Sequence, residues 1–162
     1  MNILVTGAQG FVGKNLVANL RNIAQGKNRT RPNLHIEEIF EYDLDTDPAL
    51  LGEYCARADF VYHLAGVNRP QNNEEFMEGN FGFSSILLET LKQTGNKCPV
   101  LLSSSIQATL IGRYGKSDYG RSKLAGEELF FAYGNETGAS VLVYRGVGID
   151  IHESPNYNAL LL

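Results

Sequence analysis

The chain has 162 residues, enough for one ordinary domain with a buried core. Its 14 Lys and Arg against 18 Asp and Glu give a net charge of −4, and the absence of any extended basic run argues against a nucleic-acid partner. No stretch reaches the roughly 18 apolar residues of a membrane span, and no charged-then-apolar signal precedes the first strand, so no membrane association and a cytoplasmic location are expected.

Residues 1–5 are a short apolar run bounded by Thr6-Gly7 and predict a buried strand. Gly7-Ala8-Gln9-Gly10-Phe11-Val12-Gly13 follows, a G-x-x-G-x-x-G loop. Residues 14–24 then carry Leu16, Val17, Leu20 and Ile23 at helical spacing. Strand, glycine turn and helix are the context that a dinucleotide-binding fingerprint needs. Glycines let the backbone approach a pyrophosphate, and a helix N-terminus supplies N–H groups and the positive end of a dipole. The alternative is a turn whose glycines serve packing alone. The position of this loop favours the cofactor reading.

Residues 25–33 read as a polar loop that holds a local basic cluster at 27–31, and 34–42 read as a second strand. A helix is predicted over 47–56, opened by the cap-and-proline pair Asp47-Pro48. A third strand at 59–64 ends in Ala65-Gly66, and a loop at 67–73 leads to a helical segment at 74–94, broken near Asn80 by Gly79 and Gly82. A fourth strand is predicted at 98–103, a polar loop at 104–118, a helix at 119–133 and a fifth strand at 139–144. Such alternation implies a parallel sheet covered on both faces, a Rossmann-like, doubly wound α/β fold. Cys55 and Cys98 lack metal-ligand spacing and read as free thiols in a reducing compartment. His35, His63 and His152 are scattered and read as structural, so no metal is expected.

Tyr119-Gly120-Arg121-Ser122-Lys123 places a phenol and an ammonium one helical turn apart. A lysine beside a tyrosine favours the phenolate and is expected to lower the phenol's pKa. A phenol so tuned can exchange a proton with an alcohol or carbonyl oxygen. Y-x-x-x-K alone arises by chance in many helices; the glycine loop gives it weight here.

Together these residues resemble the extended short-chain dehydrogenases/reductases, the nucleotide-sugar epimerases and dehydratases. Thr6 to Gly13 is similar to that family's cofactor loop, Ser103-Ser104-Ser105 to the end of its catalytic-serine strand, Tyr119/Lys123 to its Y-x-x-x-K, and Asn80 to the asparagine that opens its middle helix. The resemblance covers residues 1–145. A narrower likeness lies in His63-Leu64-Ala65-Gly66-Val67-Asn68-Arg69-Pro70, in Leu101 to Thr109, in Tyr119 to Glu127 and in Pro155-Asn156-Tyr157-Asn158. These resemble the capsular-polysaccharide and O-antigen reductases, which reduce a UDP-linked 4-keto-6-deoxy N-acetyl sugar on the route to UDP-N-acetyl-L-fucosamine and run on into a further, cupin-like domain.

The resemblance implies a cofactor-binding domain at 1–145 and a shortened or divergent start of the substrate region at 146–162. It implies Tyr119 as general acid, Lys123 as its tuning partner and ribose ligand, and Ser105 as hydrogen-bond donor to the carbonyl, with Ser104 the alternative. It further implies Gly7, Gly10, Phe11, Val12, Gly13, Asp43, Leu44, Leu64, Ala65, Gly66, Asn80 and Ser103 as cofactor contacts, and Asn68, Arg69, Arg145 and Asn156 as contacts of a nucleotide-sugar substrate. In a dinucleotide fold an acidic residue ending the second strand favours NAD(H). Asp43 fits that place, but Asp43-Leu44-Asp45 also resembles the family's later D-L-x-D element, with the usual second strand missing or shortened. Arg29 or Arg31 would then approach a 2′-phosphate, and the related reductases lean the expectation to NADP(H). After Arg145 the family's proline-asparagine and aromatic-glycine pairs are absent in place. The apolar end at 159–162 reads as an interface, which makes a homo-oligomer possible. A cofactor-binding module without turnover and a nucleotide-sugar epimerase or dehydratase are the other readings.

Overall fold

The computed structural model describes residues 1–28, 30–66 and 81–146. Five parallel strands form one sheet: β1 (Asn2–Thr6), β2 (Glu38–Tyr42), β3 (Phe60–His63), β4 (Val100–Ser105) and β5 (Val141–Gly146). Among the described residues four α-helices alternate with them: α1 (Phe11–Ala24), α2 (Leu50–Arg57), α3 (Phe83–Gln93) and α4 (Asp118–Thr137). The strand order is β2-β1-β3-β4-β5. The chain therefore steps from β1 to one side, then returns to build the other side outward from β3. The crevice at such a reversal is where open α/β sheets bind ligands.

Strand alternation decides which face each side chain covers. Ile3 and Val5 point to α1, where they pack with Val17 and Leu20. Leu4, Phe40, Val61, Val100 and Leu102 point the other way and pack against α2, α3 and α4. The buried residues of α1, Gly13, Val17, Leu20 and Ile23, recur at helical spacing along its inner stripe. Cys55 and Cys98 are buried free thiols in the larger core.

The sheet is the predicted one, with four informative differences in extent. Ladder pairing of β2 with β1 covers only 38–42, opposite Asn2 to Thr6. Residues 34–37 contribute Ile36 to the core beneath α1 without joining the ladder. Asp47-Pro48 forms a separate turn, in which the Asp47 carboxylate accepts from the Ala49 N–H at 2.9 Å, and the helix begins at Leu50. Strand β4 continues through Ser104 and Ser105 because these pair with Arg145 and Gly146 of β5; the predicted loop starts two residues later than expected. Helix α4 is capped by the Ser117 hydroxyl, which accepts from the Gly120 N–H, and runs past Gly134 to Gly138 in the left-handed region (φ 76°).

Candidate active site

The first wall of the site is the β1–α1 turn. Gly7 has φ 73°, and a Cβ there would lie 2.6 Å from the Ala65 nitrogen. The turn thus presses against the chain leaving β3, across the reversal of the sheet. A Cβ on Gly13 would stand 2.1 Å from the Gly7 carbonyl oxygen, so helix α1 also touches the turn backbone to backbone. Gly10 is less confined, its nearest neighbour at 3.3 Å. No side chain caps the start of α1, and no acidic residue lies in its first turn. Phe11 and Val12 are exposed there. A glycine cradle facing an uncapped helix start suits a pyrophosphate, so these residues fit a dinucleotide.

Asp43 follows β2 and folds back onto this turn. Its carboxylate accepts from the Gln9 N–H at 2.7 Å and from the Leu44 N–H at 2.9 Å. The Gln9 amide donates in turn to both Asp45 oxygens, at 2.7 and 2.8 Å. The strand beside β1 is thus the one that ends in Asp43-Leu44-Asp45, and residues 30–37 form no strand between them. Leu44 is fully exposed beside the loop.

The second wall is built by β4 and α4. Tyr119, Lys123 and Glu127 stand at successive one-turn intervals on α4 and face Ser105, Ser103 and Ser104 of β4. The Ser105 hydroxyl lies beside the Tyr119 phenol, near enough to favour its charged form, and accepts from the Gln107 N–H at 3.2 Å. The Lys123 ammonium donates to the Ser103 carbonyl at 3.3 Å and lies 5.6 Å from the Tyr119 ring centre. Ser104 donates to the Glu127 carboxylate at 2.5 Å.

The expected lowering of the Tyr119 pKa by Lys123 is corrected. Burial pushes the phenol up, and the Ser105 hydroxyl pulls it part of the way back. The ammonium lies against the ring face while it bonds a backbone carbonyl. Burial lowers Lys123 itself to about 8. Arg145, expected at the substrate, donates from Nε and Nη2 to Glu127 at 2.9 and 2.5 Å.

Leu64, Ala65 and Gly66 leave β3 beside Gly7, so the predicted cofactor residues within the described chain gather at the C-terminal ends of the strands. Asn68, Arg69, Asn80, Asn156, Arg29, His152 and the apolar end at 159–162 lie outside the described residues. The sequence reading missed Gln9, Gly120, Glu127 and the role of His63. Glu127 was within reach, since it continues the spacing of Tyr119 and Lys123 by one more turn. Gly120 gave no local signal: its missing Cβ would stand 2.4 Å from the Gln107 carbonyl oxygen, a contact distant in sequence.

The model of the NAD dependent epimerase/dehydratase family matches residues 3–147. The chain belongs to that family. It is 37% identical over 160 residues to the UDP-2-acetamido-2,6-beta-L-arabino-hexul-4-ose reductase of Pseudomonas aeruginosa, covering 98% of this chain and 39% of that enzyme. Its fold matches the capsular polysaccharide assembling protein CapF of Staphylococcus aureus with TM-score 0.69 and 40% identity, over 99% of this chain and 39% of that one. RMD of P. aeruginosa, solved with NADPH, matches with TM-score 0.65 and 25% identity, over 91% of this chain and 55% of that one. The chain thus spans about two fifths of the length of the first two relatives. Among the described residues no helix is long and apolar enough to cross a membrane.

Proposed function

We propose that this family member is an NAD(P)H-dependent reductase of a nucleotide-linked 4-keto-6-deoxy sugar, acting in the cytoplasm in the synthesis of capsule or O-antigen polysaccharide. Residues 1–145 are its cofactor-binding domain and 146–162 open the substrate region. The observation that carries the reading is the convergence of Ser105, Tyr119 and Lys123 at the ends of β4 and α4, on a scaffold that presents a glycine cradle at the reversal of the same sheet. The likeness to a UDP-sugar 4-ketoreductase supports the substrate class.

A reduced nicotinamide bound at the glycine cradle would supply the hydride for the carbonyl carbon of the sugar. Tyr119 gives its proton to the carbonyl oxygen. Its raised pKa keeps the phenol protonated at neutral pH, as a general acid requires. Ser105, beside the phenol, donates to the same oxygen. Lys123 holds the tyrosine ring from one side and offers its remaining N–H donors to the ribose. Gly7, Gly10 and Gly13, with Phe11 and Val12, receive the pyrophosphate. Leu44, Leu64, Ala65 and Gly66 would line the nucleoside, with Asn80 and Ser103 as further cofactor residues, and Asn68, Arg69 and Asn156 are assigned to the substrate, while Arg145 is held by Glu127.

Fluorescence titration with the reduced cofactor, followed by a UDP-4-keto-6-deoxy sugar, tests the reading. Saturable binding and then loss of the cofactor signal are expected, and Tyr119→Phe should bind cofactor with turnover reduced by roughly a thousandfold or more. Near-normal turnover by that variant would remove Tyr119 from the role.

On the choice of nicotinamide, an acidic residue that follows the second strand supports NAD(H) over the NADP(H) to which the resemblance leans. Two carboxylates, Asp43 and Asp45, are fixed against Gln9 of the glycine loop, and negative charge there would disfavour a 2′-phosphate. NADH is therefore expected to bind more tightly than NADPH, with Asp43→Asn narrowing the ratio by about tenfold. Tighter binding of NADPH by the unaltered chain would reverse the assignment.

A further inference from the structure

We propose that Glu127 is a positioning residue that holds Ser105 against Tyr119; the inference rests on those two residues forming the reacting pair. Glu127 is 1% exposed, yet it is a carboxylate. Its first oxygen accepts from the Ser104 hydroxyl at 2.5 Å and from Arg145 Nε at 2.9 Å, and its second from Arg145 Nη2 at 2.5 Å. Ser104 and Arg145 are paired residues of adjacent strands. One side chain of α4 therefore clamps the last turn of the ladder between β4 and β5 onto the helix that carries Tyr119 and Lys123. The next pair in the ladder is Ser105 with Gly146.

A buried carboxylate is costly unless its lone pairs are filled. Here burial pushes the carboxyl up, while the bonds from Arg145 and Ser104 and the Arg145 charge outweigh it and hold the group below the usual range. The carboxylate is thus charged at neutral pH and stays locked to both strands. Two bonds in register, Lys123 with the Ser103 carbonyl and Glu127 with the Ser104 hydroxyl, fasten the helix along the strand, one turn on from where Tyr119 meets Ser105. Glu127 touches no reacting atom. Its effect is to fix the strand end whose next residue lies beside the phenol.

The test follows the Tyr119 ¹³Cζ resonance of the full chain, assigned by its disappearance in Tyr119→Phe, as pH is raised from about 7 to about 11. Ser105→Ala sets the scale, since it removes the hydroxyl that favours the phenolate. Glu127→Gln and Ser104→Ala are both expected to delay the appearance of phenolate to higher pH, as Ser105→Ala does. A through-space charge effect has the opposite sign: loss of a nearby negative charge would bring phenolate on at lower pH in Glu127→Gln and leave Ser104→Ala unchanged. That pattern, or an unmoved resonance in a folded variant, overturns the proposal. Ser104→Ala keeps the test alive should Glu127→Gln fail to fold, because it removes one small hydroxyl. If the wild type turns over, both variants should lose roughly tenfold or more in kcat with cofactor affinity within about twofold. Absence of turnover in the wild type would count against the proposed function alone, since the Tyr119 titration decides the role of Glu127 without it.

Discussion

The two walls of the site are held by different physics. At the β1–α1 turn the close approaches are backbone on backbone: Gly7 against Ala65, Gly13 against the Gly7 carbonyl. At the β4–α4 wall they run mostly through side chains: a phenol on a hydroxyl, an ammonium on a carbonyl, a carboxylate on a hydroxyl and a guanidinium. The first arrangement tolerates almost no substitution but carries no titratable group at its closest contacts. The second can be altered atom by atom, and its order depends on protonation. A wall of backbone makes a rigid receptor for phosphate, whereas a wall of side chains can pass a proton.

That contrast breaks most sharply at Gly13. A methyl group there meets a carbonyl oxygen at 2.1 Å, with the adjoining Ala8 backbone at 2.8 Å, and neither can move without opening the turn. Gly13→Ala should therefore cost about 3 to 5 kcal/mol and abolish saturable NADH binding. Gly10→Ala, with its nearest neighbour at 3.3 Å, should fold and lose far less affinity. Urea unfolding and fluorescence titration of the two variants check this. Equal behaviour would mean that the turn is softer than its contacts imply.

One glycine crosses the divide. Gly120 lies between the two halves of the Y-x-x-x-K motif, and its missing Cβ lets α4 lie on the 3-10 turn of Ile106–Thr109, which follows Ser105 directly. Gly120→Ala should push the start of α4 outward from the turn. About 2 kcal/mol of stability and a larger share of kcat are expected to go, with NADH affinity retained. Loss of cofactor affinity equal to the loss of kcat would show that the two walls move as one body.

The same contrast explains what was legible in the sequence. The glycine turn could be read because a backbone constraint leaves one residue type available, and that type is visible in the chain. The alternation of strands and helices was readable from apolar periodicity, and the order of elements followed. Ends were less so: 34–37 carry strand-like residues but stop short of the ladder, and Ser104-Ser105 join it only because Arg145 and Gly146, distant in sequence, supply partners. The preference for Ser105 over Ser104 could be read from the sequence, but the bond from Ser104 to Glu127 on the helix packed against it could not. The direction of the Tyr119 shift was misjudged for a related reason. Proximity to Lys123 could be read from spacing, but burial could not, and burial is the larger influence here.

His63 joins the two walls, and it yields an effect that is smallest at neutral pH and grows with acid. It ends β3, and its ring bonds Thr6, the residue before the glycine turn, at 2.7 Å and Ser84 of α3 at 2.8 Å. The ring also stacks on Phe130 of α4, with centres 5.4 Å apart. A neutral imidazole has one donor and one acceptor nitrogen, and both are used here. Burial, and then the Lys123 charge, lower its pKa from 6.5 to about 3. The sign follows from proton counting: between those values the unfolded chain binds a proton that the folded chain refuses, so folding weakens as pH falls. The stabilisation is complete above pH 6.5 and is lost at roughly 1.4 kcal/mol for each pH unit below it, until the folded ring protonates. Urea midpoints of the wild type measured from pH 7 down to about 4.5 should therefore fall more steeply than those of His63→Asn, which has no such proton to take up. Since the ring contacts the strand before the cofactor turn and the helix of Tyr119, NADH affinity and the Tyr119 resonance should degrade together in the wild type over this range. Parallel profiles for wild type and variant would mean that the imidazole is free to charge in place, and the two walls would then have to be coupled by packing alone.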